Sequence, residues 1–219
     1  MIRAVLVIAL LGGLGMWLLL PNNRNALPEH LPWKTVVDAH GRLQVFGLTL
    51  GTTTLGEVQA RFGQTGKVTL FVDPDGNPRG TVEAFFERID LNGLYGDFVF
   101  TLGTDRATLT RIYDGGLRIS RLGDGTQKVQ PAPVDLEALA SASIEHITYL
   151  PGARLAPQVI PDRFGEPAER VAEPKGIVHW LYPGKGIDIA RRPNGQAVIQ
   201  YVNPSNFDQL REPLRNTKE

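Results

Sequence analysis

The stretch Leu50-Gly-Thr-Thr-Thr-Leu-Gly-Glu-Val-Gln-Ala-Arg-Phe-Gly63 constrains the chain most, because both ends of a short helix are written into it. Thr54 is placed to accept from the helix's first free N–H groups. Glu57, three residues on, is placed to reach back to the cap's own N–H, which makes a capping box. Leu55, Val58 and Phe62 recur at spacings of three and four, which predicts one buried side. Gly63 stands where a helix ends in a left-handed residue, a conformation that a Cβ penalises. Further on, Leu155, Ile160, Phe164 and Gly165 repeat the apolar residues and the Phe-Gly end. There Pro161 requires the helix to start late, with the proline in its first turn, or to kink.

Around these two helices the sequence is punctuated for short strands. The 219 residues include 24 Gly and 16 Pro, yet 42% are hydrophobic, enough for a core between many turns. Alternation and turn chemistry predict a hairpin of Lys34–Val37 with Arg42–Phe46 across Asp38-Ala-His-Gly41. They also predict strands over Lys67–Val72, Thr81–Ile89 and Asp97–Leu102. Asp73-Pro-Asp-Gly-Asn77 lies between the first two of these strands and reads as a turn. A helix capped by Thr104 is expected to end at Gly115-Gly116, and Leu117–Leu122 and Thr126–Gln130 to pair across Gly123-Asp-Gly125. Asp135 is expected to cap a short helix reaching Ala142, followed by a strand over Ile144–Leu150. A meander of Ile177–Tyr182, Ile187–Arg191 and Gln196–Val202 should turn at Pro183–Gly186 and at Pro193-Asn-Gly195. The polar tail from Pro204 is expected to fray.

The fold class that follows is α+β: an N-terminal transmembrane helix, then two related units, each a short helix packed on a small antiparallel sheet. The expected division is an anchor over 1–20, a Pro-containing linker over 21–32, units at 33–132 and 133–204 with a seam at Pro131-Ala-Pro133, and a tail over 205–219. Ala4 to Leu20 carries no charge and is long enough to span a bilayer if uncleaved. Arg24 sits badly for a cleavage site, so an uncleaved anchor is favoured over a cleaved signal. Arg3 and the free amino terminus orient it with the body exported.

Several function classes are weakened by composition. The chain has 23 basic and 23 acidic residues and no basic run, so no nucleic-acid footprint is visible. No cysteine is present, which removes thiolate nucleophiles, disulfides and lipid-modified cysteine. His30, His40, His146 and His179 lack the spacing of a metal pair, and His179 reads as a core histidine. No hydrolase, Walker or dinucleotide motif occurs, and no cofactor is expected. Glu83, Glu87 and Asp97 are the carboxylates a hydrolase would have to use, and a solvent-facing sheet surface explains them more simply. Aromatic residues on strands are the remaining candidates. Trp180 and Tyr182 share one face, and with Tyr201 they are the expected partner-contact residues, set beside the structural Thr54, Glu57, Phe62, Gly63, Phe164 and Gly165.

Arg163-Phe-Gly-Glu-Pro167, Trp180-Leu-Tyr182 and Gly195-Gln-Ala-Val198 resemble the envelope module of the SmpA/OmlA lipoproteins and the β-lactamase-inhibitor-protein-like domains. The likeness covers residues 147–202 and more faintly 46–102. Leu31-Pro-Trp33 and Val45–Gly51 resemble a group of membrane-anchored proteobacterial proteins. The missing lipid-attachment cysteine departs from the lipoproteins and favours the inner membrane. The resemblance implies a non-catalytic role. The expectation is a single-pass inner-membrane protein with a periplasmic body that binds another envelope protein. A small-molecule or lipid-binding module is the alternative, and a hydrolase stands third.

Overall fold

The computed structural model describes residues 30–74 and 80–215. The expected anchor at 4–20, most of the linker and the tip of the Asp73–Asn77 turn lie outside the described residues. Among the described residues no helix is long and apolar enough to cross a membrane.

The chain is α+β. Its first strands, β1 (Val36–Val37), β2 (Leu43–Val45) and β3 (Leu48–Thr49), form a small antiparallel sheet. Asp38 fixes the β1–β2 turn by accepting from the N–H groups of His40 and Arg42. Phe46-Gly47 joins β2 to β3 with positive φ at both residues (56° and 68°), a two-residue hairpin whose twist suits the strands. Helix α1 (Leu55–Phe62) is the one the sequence spelled out. Thr54 and Glu57 form both bonds of the capping box, and Gly63 ends the helix at φ 64°.

Then follow β4 (Lys67–Val72), β5 (Gly80–Leu91), β6 (Leu94–Leu102), α2 (Arg106–Asp114), β7 (Arg118–Arg121) and β8 (Gln127–Gln130). The β5–β6 hairpin runs past the expected strand ends, because Asn92-Gly93 is itself a tight-turn pair with positive φ at both positions. Asp105, not Thr104, caps α2, accepting from the Thr108 N–H. Helix α3 (Pro133–Leu139) starts with Pro133 in its first turn, and Asp135 is not its cap. Instead the Asp135 carboxylate is buried and paired with Arg111 of α2.

The second half comprises β9 (Ile144–Pro151), α4 (Val159–Phe164), β10 (Glu169–Ala172), β11 (Val178–Tyr182), β12 (Ile187–Arg191), β13 (Ala197–Val202) and α5 (Asp208–Arg215). Pro161 falls in the first turn of α4, where its missing N–H costs nothing. As far as Arg215 the tail is helical and packed, where fraying was expected. Phe207, Leu210 and Leu214 lie on one side of the terminal segment and pack on Val171, Leu181 and Val202 as a second apolar cluster.

Where two small sheets were expected, the structure has one antiparallel sheet of ten strands in the order β10-β11-β12-β13-β9-β6-β5-β4-β8-β7. Strand β9 pairs with β13 on one side and with β6 on the other, so pairing crosses the Pro131–Pro133 seam without a break. The β4–β5–β6 and β10–β13 meanders each follow a helix ending in Phe-Gly. They approach β9 from opposite edges.

One face of the sheet is the main core. Cross-strand register sets Ala84, Phe100, Ile147, Tyr201 and Ile187 in a row, all at most 1% exposed. The small sheet, α1 and α4 contribute to the same core, with Leu43, Leu55 and Ile160 fully buried. Phe46 links the layers: its ring makes edge contacts with Phe98 at 5.0 Å, Tyr149 at 5.4 Å and Tyr201 at 5.3 Å. A bulky residue seldom holds φ of 56°, and this one is kept there by the burial of its ring.

Candidate functional site

Trp180, Tyr182 and Tyr201 do not form an exposed surface. They are 5%, 4% and 0% exposed, because the sheet face that carries them is the covered one. The Tyr182 hydroxyl donates to the Gly165 carbonyl at 2.9 Å, and the Tyr182 ring stands 6.3 Å from Phe164. Burial holds the Tyr182 phenol up at about 12 and Tyr201 well above its ordinary value, so neither is set up for proton transfer near neutrality. Thr54, Glu57, Phe62, Gly63, Phe164 and Gly165 sit at helix ends and core contacts.

The opposite face is unevenly covered. Over β10 to β13 it is roofed by α5. From β9 to β4 no helix cluster among the described residues covers it: Phe85 is 37% exposed, and Phe71, Val99, Thr101, Thr148 and Leu150 are half-buried. Glu83 faces the same way. Burial raises its pKa, with the Thr81 side chain and Lys128 acting against the rise. Glu83 lies opposite Thr101, four residues along β6 from Asp97 and so about 13 Å from it at strand rise. Asp97 is engaged at the β5 bulge, where it accepts from the Arg88 N–H at 2.8 Å. Glu83 and Asp97 therefore do not converge, and Glu87 is exposed.

At one border of this face the sheet splits. Strand β4 pairs with β5 over residues 67–72, but with β8 only over 70–72. The resulting slot has a volume of about 810 Å³. Lys67, Arg118 and Lys128 line it with Glu137, beside Pro131. Beyond it β7, exposed at all four residues and bearing Arg118 and Arg121, forms the sheet's edge.

A polar cluster lies on the α5 side, where the sequence pattern shows only a lone core histidine. His179 Nδ1 lies 2.9 Å from one Asp188 oxygen, and Nε2 lies 3.6 Å from Glu173. Gln200 donates to Asp188 at 3.5 Å. Burial is the largest single influence on His179 and opposes its charge, but the Asp188 and Glu173 carboxylates together outweigh it and raise the histidine's pKa. Burial also raises Asp188, with His179 pulling the other way. An aspartate between Ile187 and Ile189 on a strand that pairs with His179's own strand was the signal available. His146 is different: its Nε2 is buried with no hydrogen-bond partner among the described residues, and desolvation lowers the ring to about 4. His30 stands beside Arg61, and His40 is exposed. Among the described residues no group of three or more metal-ligating side chains converges.

A separate apolar pocket of about 390 Å³ opens beside Trp33, between the tip of the β5–β6 hairpin and α4. Its shape depends on Gly96: a Cβ there would run into the Tyr149 ring that forms one wall.

Compared with protein-family models, curated proteins and solved structures, the chain matches none.

Proposed function

We propose that the protein is a non-catalytic binding module of the cell envelope. Residues 4–20 hold it in the inner membrane, its body lies in the periplasm, and it contacts another envelope protein through the uncovered sheet face. The observation that carries this reading is the uneven roof of the ten-stranded sheet. Helix α5 closes the face over β10–β13 and leaves Phe85 and its half-buried neighbours open from β4 to β9. A contiguous, partly apolar sheet surface of this kind is where a monomeric fold meets a partner. The resemblance to envelope assembly modules supports the same role.

The test is a photo-crosslinking phenylalanine analogue placed at Phe85 in the full chain, made in cells that normally contain the protein. A discrete adduct with an envelope protein is expected, lost when Thr148 on the same face is replaced by Arg. No adduct at Phe85, or one indifferent to Thr148→Arg, would reject the reading.

A second reading, compatible with the first, is a small-molecule or lipid-binding module. It is favoured by the apolar pocket beside Trp33.

A further inference from the structure

The pocket beside Trp33 has walls of one chemistry and a rim of another. Trp33, Leu94, Tyr149, Leu155, Val159 and Phe164 supply apolar surface. The one hydroxyl among them is turned to protein: Tyr149 donates to the Tyr95 carbonyl at 3.4 Å. Such walls offer little to orient a polar ligand, and a volume of about 390 Å³ falls in the range that encloses a small molecule.

One cation lines the pocket, and a second stands beside one of its lining rings. Arg88 lines the pocket from the β5 bulge, where Asp97 accepts its backbone N–H and φ is 52°. Arg163 stands with its guanidinium carbon 5.1 Å from the Trp33 ring centroid. Both arginines are exposed, and among the described residues neither forms an ion pair. An unpaired guanidinium presents a planar fork that matches a carboxylate.

We propose that this pocket binds a single-chain fatty acid, with the acyl chain against Trp33, Val159 and Phe164 and the carboxylate at Arg88 and Arg163. This assignment rests on the small-molecule reading above and not on the sheet face. The volume favours one chain over two, and Arg88 in the lining with Arg163 beside Trp33 favours an anionic head over a neutral one.

The probe is dodecanoic acid carrying a terminal diazirine, irradiated with the full chain in phosphatidylcholine vesicles and mapped by peptide mass spectrometry. Adducts are expected within residues 149–164. Val159→Trp, which fills the pocket, should reduce them about tenfold or more, the scale of a 1.4 kcal/mol loss. Leu155→Glu changes a half-buried wall position and gives the same test should the tryptophan variant lose its cooperative melt. Arg88→Gln with Arg163→Gln should reduce labelling about fivefold, the scale of two exposed charge contacts. Adducts confined to residues 1–29, or labelling unchanged in the pocket variants, would overturn the site. Equal labelling by the matching diazirine alcohol would overturn the anionic head while leaving a small-molecule pocket standing. Neither failure touches the Phe85 crosslink.

Discussion

The Tyr201 hydroxyl donates to the Pro32 carbonyl at 2.9 Å, joining residues 169 apart in sequence with both groups buried. The start of the body is thereby fastened to its last strand, directly beside the Trp33 pocket. Tyr201→Phe keeps the ring and leaves that carbonyl without a partner. The expected loss is about 1 kcal/mol, or about 2–4 °C in Tm for a chain of this size, measured by calorimetry.

Phe46 carries two opposed contributions, a fully buried ring and a left-handed backbone. Phe46→Ala removes the ring and keeps the backbone strain, for an expected loss of about 3–5 kcal/mol. Phe46→Gly removes both and should be the milder change by about 1 kcal/mol, reversing the usual order of alanine and glycine. Urea midpoints of the two variants decide it, and a glycine variant weaker than the alanine one contradicts the strain argument.

Stability should depend on pH through two histidines of opposite sign. His146, lowered to about 4 by burial, is neutral in the folded chain over a range where the unfolded chain takes up a proton. Its contribution is complete above about pH 6.5 and is lost as pH falls toward 4, a total of about 3 kcal/mol. His179 is raised, so its contribution is complete below about pH 6.5 and is lost as pH rises through the elevated value. Urea unfolding from pH 4 to 9 should show the acid loss vanish in His146→Gln and the alkaline loss shrink in Asp188→Asn.

Phe85 and Phe86 are neighbours on β5 with opposite fates, one 37% exposed and the other fully buried against Phe62 and Phe100. Phe86→Ala should cost about 3–5 kcal/mol. Phe85→Ser should change stability by about 0.5 kcal/mol or less while weakening partner capture. A Phe85→Ser variant that unfolds as readily as Phe86→Ala would mean the face is not open.

Leu210 of α5 packs in the second cluster and is 8% exposed. Leu210→Ala should cost about 2 kcal/mol, the low end for a core leucine, because the site borders solvent. Amide exchange should rise first along α5 and β10, ahead of the β5–β6 hairpin.

What the sequence made legible was local. Thr54, Glu57 and Gly63 determine both ends of α1 through bonds that span a few residues. Pro183–Gly186 and Asn194-Gly195 place the β11–β13 boundaries within about one residue for the same reason. What it hid depends on distant chain. Alternation shows that Trp180 and Tyr182 share a face, but not that α4 and the small sheet cover it. The tail's Phe207, Leu210 and Leu214 stand among charges, and their helix exists because Val171, Leu181 and Val202 offer an apolar seat. The pocket beside Trp33 draws on residues from four separate parts of the chain, so no single stretch announces it. The His179–Asp188 pair was legible in principle, since the turn at Pro183–Gly186 fixes the register that makes the two residues diagonal neighbours.

Strand β9 is shared property of the two halves, and that governs how the chain can be divided. Severed within Pro131–Pro133, the first fragment would end with the inner edge of β6 bare, and the second would begin with the matching edge of β9. Each bare edge is a row of unpaired amides and carbonyls whose best complement is the other fragment. Co-expressed pieces would therefore reassemble across that line, whereas either piece alone would be left with a sticky edge and a half-built core.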